Sequence, residues 1–107
     1  MPAAYTELFG RISSTAAGAT LLFATPITGK YVLRDLVVHN GAASAALVQV
    51  LVTTGTVNYY YLSLSALPPG TSQHLELRQA LFPGQTLYLN TDKAGVTVTA
   101  TGYHFDG

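Results

Sequence analysis

The sequence predicts an all-β protein, one small antiparallel sandwich or barrel of about eight strands. Three observations predict it. Val, Thr, Tyr and Leu dominate, and few long segments space apolar residues at i, i+3, i+4 and i+7 as a helix would. Short alternating runs are broken by Gly, Pro, Asn or Asp at intervals near those of sandwiches and barrels. Finally, 107 residues suit one domain with one hydrophobic core.

Taken in order, the first strand is expected over residues 5–12. It is followed by "SSTAAGAT", too small and polar to pack well and read as a flexible connection. Residues 1–19 are thus expected to form an N-terminal strand or arm with its tether, and residues 20–107 the sandwich. The second strand covers 20–24. The third, "KYVLRDLVVHN" over 30–39, is apolar on both sides: Leu36 and Val38 share a face with Arg34, and Leu33 and Val37 share the other with Asp35. A strand of that kind lies centrally or is covered by something else, such as another subunit. "NGAASAA" and "TTGT" are turns around strands 46–53 and 57–64, with Gly able to take positive φ. "LPPG" and "FPGQ" interrupt the ladder because proline has no N–H, which brackets a strand at 73–79. Strands at 86–90 and 96–105 then flank the turn "TDKAG".

Two segments alternate cleanly. In "SQHLELRQ", Leu75 and Leu77 oppose His74, Glu76 and Arg78; in "GVTVTATGYHF", Val96, Val98 and Ala100 oppose Thr97, Thr99 and Thr101. Each has one buried and one wet face. Burying a Leu or Val side chain is worth about 1.5–3 kcal/mol, so these stripes pin the register.

The run "TVNYYYLSL" places three tyrosines on one strand. If the preceding hairpin turns at Thr54-Gly55, Thr53 opposes Thr56, Val50 opposes Tyr59 and Val48 opposes Tyr61. Opposed residues share a face. Tyr59 and Tyr61 then join Val48, Val50 and Val52, while Tyr60 joins Leu47, Gln49, Leu51 and Leu62; a three-residue turn would swap the two sets. If the valines line the core, Leu47, Leu51, Tyr60 and Leu62 form an outward apolar stripe beside Gln49. Contiguous apolar surface usually marks a contact, and tyrosine suits one because its hydroxyl can stay bonded at the rim.

Charge narrows the function. Only 9% of residues are ionic, five acidic against five basic, where about 25% is typical. A near-neutral surface favours association, and the lack of clustered Lys and Arg argues against nucleic acid as the main partner. No apolar run approaches the ~20 residues of a membrane span, and "MPAAYTELFG" lacks the pattern of a secretory signal. Cysteine is absent, which removes disulfides and thiolate metal sites.

Chemistry is thinly represented. His39, His74 and His104 fall on three different strands with no short-spaced ligand partner, so no metal site is expected. Asp35 and His39, on one strand, lie about 13 Å apart along it, too far for a triad. The carboxylates are dispersed, no phosphate-binding glycine loop is present, and neither catalysis nor a cofactor is expected. Sugar binding is the competing reading, because tyrosines on a sandwich can stack on sugar rings and Asn58 lies beside them.

Leu36 to Asn40, Leu81 to Leu89 and Val96 to Tyr103 carry a resemblance covering roughly residues 29–105. An early strand ending in Asn leads to a hairpin, a proline-glycine turn precedes a short apolar strand, and a Thr/Val strand ending in Gly-Tyr closes the chain. This order resembles a group of small tailed-bacteriophage virion proteins; the segment "ATPITGKY" departs from it, where a Pro-Gly turn is more usual. The resemblance implies a single jelly-roll-like antiparallel β-sandwich, a virion location after assembly in the host cytoplasm, and no catalytic residue. It implies capsid decoration or cementing as a symmetric oligomer, here expected to be a homotrimer, with the major capsid protein or other virion proteins as partners. On that reading Leu47, Gln49, Leu51, Tyr60 and Leu62 form the subunit interface, and Tyr5, Leu8, Phe9 and Ile12 dock the N-terminal segment on the capsid. The alternative is a tail- or fibre-associated module that recognises host-surface glycan.

Overall fold

The computed structural model describes residues 4–27 and 30–105, with side chains from Phe9 to His104. Eight strands form: β1 (Ala4–Ser13), β2 (Gly18–Ala24), β3 (Lys30–Asn40), β4 (Ala46–Thr53), β5 (Asn58–Leu67), β6 (Ser72–Leu81), β7 (Thr86–Thr91) and β8 (Val96–Phe105). Among the described residues there is no helix, and so none long and apolar enough to cross a membrane. The alternation and breaker residues therefore located every strand, with ends displaced by a few residues at most.

The strands pair as a nested set. β1 pairs with β8, β2 with β7, β3 with β6 and β4 with β5, all antiparallel, like one long hairpin laid double. Rolling that hairpin brings β3 beside β8 and β4 beside β7. Two four-stranded sheets result, β1-β8-β3-β6 and β2-β7-β4-β5. This is a jelly roll.

Between the sheets lies one core. Leu33, Leu36 and Val38 of β3, Val48 and Val50 of β4, Leu89 of β7 and Val96, Val98 and Ala100 of β8 are fully buried. Both faces of β3 could not be assigned from alternation because of a bulge between Leu33 and Asp35. The extra residue turns Leu33, Leu36 and Val38 to one side, and β3 is central within its own sheet.

The N-terminal strand was expected as part of an arm over residues 1–19. β1 is hydrogen-bonded along β8, and Phe9 is 8% exposed within the core. Phe9 stacks on Phe23 with centroids 5.0 Å apart and meets Tyr31 edge-on at 5.7 Å. Ile12 packs against the same core. Both were expected on a docking arm; Phe9 is buried and Ile12 partly buried against this chain's own core. The side chains of Tyr5 and Leu8 lie outside the described residues, as do Pro2, Thr28 and Gly29. The presumed tether is also anchored at its start. Ser14 is buried, exchanges backbone hydrogen bonds with Val96 and Gly95, and donates from its hydroxyl to the Lys93 carbonyl at 2.7 Å.

Two residues show how closely the elements meet. At Gly102, a Cβ would fall against the Val32 carbonyl and the Phe9 ring, so only glycine fits beneath that ring. Asn40 closes β3 with no exposed surface. Its Nδ2 donates to the carbonyls of Ser44 at 2.9 Å and Leu67 at 2.8 Å, and its Oδ1 accepts from the Ala42 N–H at 2.9 Å. One amide thus ties the β3–β4 loop to the end of β5, across the two sheets.

Candidate functional site, an uncharged sheet face

The β4–β5 hairpin determines which side chains reach the surface. Its turn is two residues longer than expected: Thr54 donates its N–H to Val57 at 3.0 Å, and pairing begins at Thr53 with Asn58. Val52 then opposes Tyr59 and Leu51 opposes Tyr60. An even lengthening preserves the faces, so Tyr59 lies on the valine side and Tyr60 on the other. A bulge follows, after which Val50 opposes Leu62 and Gln49 opposes Ser63. This corrects one assignment. Leu62, expected on the outward stripe, is turned inward by the bulge and packs against the core, as Tyr61 does.

Leu47, Gln49, Leu51 and Tyr60 remain on the outer side of the β2-β7-β4-β5 sheet. The register joins Leu51 and Tyr60 to two residues the sequence did not single out. Leu21 pairs with Tyr88, Tyr88 with Leu51, and Leu51 with Tyr60. A single row therefore crosses all four strands, with Leu21 49% and Tyr60 55% exposed at its ends. Leu51, in the middle, is 9% exposed yet stands apart from the core cluster.

Beside this row runs a polar one. Asn90 donates to Gln49 Oε1 at 2.8 Å, and Gln49 Nε2 donates to Ser63 at 3.3 Å. These amides satisfy one another and leave little for a partner. Between the rows, Tyr60, Tyr88, Asn58, Asn90 and Thr53 line an open groove of about 330 Å³ floored by Leu51. No residue of β2, β4, β5 or β7 is Asp, Glu, Lys, Arg or His.

All such residues that lie in strands belong to the other sheet. On its outer face, His39 Nδ1 is 2.8 Å from the Ser72 hydroxyl and His74 Nε2 is 2.9 Å from Asp35. Arg11 donates to Thr99 at 3.1 Å. Serine and aspartate thus bond to different histidines, and no Ser-His-Asp chain forms among these groups. Asp35, His74 and Glu76 bring one donor atom each within 4.8 Å of one another. The spacing of the sequence hid this meeting because it depends on the β3–β6 register. It is an exposed ion pair beside a second carboxylate, a common surface arrangement. His104 stacks on Tyr31 at 4.3 Å, well inside the aromatic cluster.

At the open side of the sandwich, Val52, Tyr59, Tyr61, Gln79 and Phe82 line a second groove of about 270 Å³. Burial here pushes the Tyr61 phenol above its ordinary pKa.

Viral capsid proteins share this two-sheet jelly roll, and solved structures of them match the chain. VP2 of infectious bursal disease virus, in a subviral particle, matches with a TM-score of 0.57 and 19% identity over 97% of this chain and 32% of that one. The T13 particle of the same virus matches with a TM-score of 0.54 and 17% identity over 98% of this chain and 35% of that one. A pentameric capsid protein isolated from metagenomic phage sequences matches with a TM-score of 0.50 and 20% identity over 94% of this chain and 62% of that one. The chain spans about a third of the bursal disease virus chains. At these identities the likeness is one of fold. No protein-family model matches the sequence, and no curated protein matches it.

Proposed function

We propose that this protein is a non-enzymatic structural component of a virus particle that works by burying its uncharged sheet face against other protein. The observation that carries this reading is the Leu21–Tyr88–Leu51–Tyr60 row, exposed at both ends on a sheet with no ionic residue. Covering such a surface releases water from apolar side chains at about 25 cal/mol per Å², and the Asp92 carboxylate at its margin already accepts from the Leu47 N–H. Its likeness in fold to capsid proteins supports a place in the virion. In the finer form of the reading, the chain decorates the outside of a bacteriophage capsid as a symmetric oligomer, a trimer being what the phage resemblance implies. Leu47, Gln49, Leu51 and Tyr60 then lie in the contact with Leu21 and Tyr88, and the major capsid protein is the partner.

Sedimentation of the purified chain at micromolar concentration, alone and with emptied capsid shells, tests this. Concentration-dependent association and co-sedimentation with shells are expected; a persistent monomer that ignores shells would refute it.

One observation favours a second reading. The groove beside Leu51 combines two tyrosine rings with two asparagine amides, a set able to stack on and hydrogen-bond a sugar ring. A tail- or fibre-associated glycan-recognition module would use that groove. Strong, selective signals on a glycan array, abolished by Tyr88→Ala, would establish it in place of the assembly role.

A further inference from the structure

Sheet edges differ in how they are guarded. An edge strand leaves alternate N–H and C=O groups without ladder partners, and proteins blunt such edges with charge, proline or cover. The β6 edge carries His74, Glu76 and Arg78. The β1 edge carries Glu7 and Arg11 and, with β2, closes one side of the sandwich. β2 is uncharged but only 7 residues long. By contrast, β5 runs 10 residues at the end of its sheet without a charge or a proline. It exposes Tyr59 at 52% and Tyr60 at 55%.

We infer that β5 is a self-pairing edge: it binds β5 of a second copy, antiparallel about a two-fold axis perpendicular to the sheet, making one continuous sheet of eight strands. The free ladder selects an extended strand as occupant. The charge pattern selects a second copy. In a two-fold antiparallel pair, residues about the axis meet their own kind, and like charges directly opposite are destabilising. β5 incurs no such penalty in any register. The same pairing centred on β6 Glu76 would set Glu76 against its copy and His74 against Arg78. The axis keeps both outer faces on the same side, so the apolar row ending at Tyr60 continues toward its counterpart. The added strand also covers the mouth of the groove where Tyr59 and Phe82 are exposed. This inference rests on the self-association proposed above, and its two-fold pairing gives a dimer or an even-numbered assembly in place of the trimer that the phage resemblance implies.

The absence of cysteine makes cross-linking a clean test. Asn58→Cys, Tyr60→Cys, Ser63→Cys and Ser65→Cys chains, mixed in pairs and oxidised, should cross-link only in pairs whose residue numbers share a nearly constant sum. Native mass spectrometry should show even-numbered oligomers. Ser63→Lys and Ser65→Lys should each weaken the two-fold association at least tenfold, with an unchanged far-UV circular dichroism spectrum. An odd-numbered oligomer without β5 cross-links, or cross-links confined to Leu21→Cys and Tyr88→Cys, would overturn the edge assignment and leave self-association standing. A monomer at every concentration would overturn both.

Discussion

The two sheets share a core and differ in almost everything else. One, β1-β8-β3-β6, holds every ionic and histidine side chain found in a strand; the other holds none. On the first, threonines 97, 99 and 101 line β8 between paired polar groups. On the second, Leu21, Tyr88, Leu51 and Tyr60 form an apolar row. Segregation of this kind is not needed to fold, since either sheet could carry a wet outer face. The difference teaches that the low overall charge is not diffuse: it comes from one surface kept free of ions. That surface is suited to contact, and the other to water.

The comparison breaks if charge on either sheet has the same effect. Tyr60→Asp should weaken self-association by about a hundredfold, about 2.7 kcal/mol, since it buries an unpaired carboxylate in the contact. Thr99→Asp on the opposite sheet should leave sedimentation unchanged. Association lost equally in both cases would remove the distinction between the faces.

Asn40→Ala tests what holds the sheets together. It leaves the Ser44 and Leu67 carbonyls and the Ala42 N–H without their side-chain partner, and should lower stability in urea unfolding by about 2–3 kcal/mol. Both sheets should still melt in one transition, because they share one core.

An alkaline titration sharpens the comparison further. Burial raises the Tyr61 pKa, so the folded protein holds the phenol proton more tightly than the unfolded chain does. Stability from this group is complete below the ordinary tyrosine value of about 10 and declines as pH rises above it. Tyr61→Phe should flatten that decline in thermal melts between neutral and strongly alkaline pH. The smallest effect is expected on the wet sheet. Asp35→Asn should change stability by less than about 1 kcal/mol, because the His74–Asp35 pair is solvent-exposed.

Much of this architecture was legible in the residues. Alternation in "SQHLELRQ" and "GVTVTATGYHF", with Pro and Gly between runs, located all the strands, because those signals act over a few residues. Leu62 was misplaced because a bulge shifts the face without any mark in composition. The packing of Phe9 and Ile12 was hidden because their partners, β8 and the Phe23–Tyr31 rings, lie far along the chain. Leu21 and Tyr88 were missed for the same reason: each looks ordinary on its own strand, and only the order β2-β7-β4-β5 puts them in line with Leu51. Local pattern specifies strands, and long-range pairing decides which side chains become neighbours.

The nested pairing also has a consequence for how the polypeptide reaches this shape. β8 sits between β1 and β3, joining a strand from the start of the chain to one from its first half. Until β8 is available, β1 has no ladder and one of the two layers cannot assemble. Only the innermost hairpin, β4–β5, can form early. Folding is therefore expected to be cooperative and slow, on the millisecond-to-second scale of folds dominated by distant contacts, and a chain cut short before Val96 leaves greasy ribbon open to aggregation.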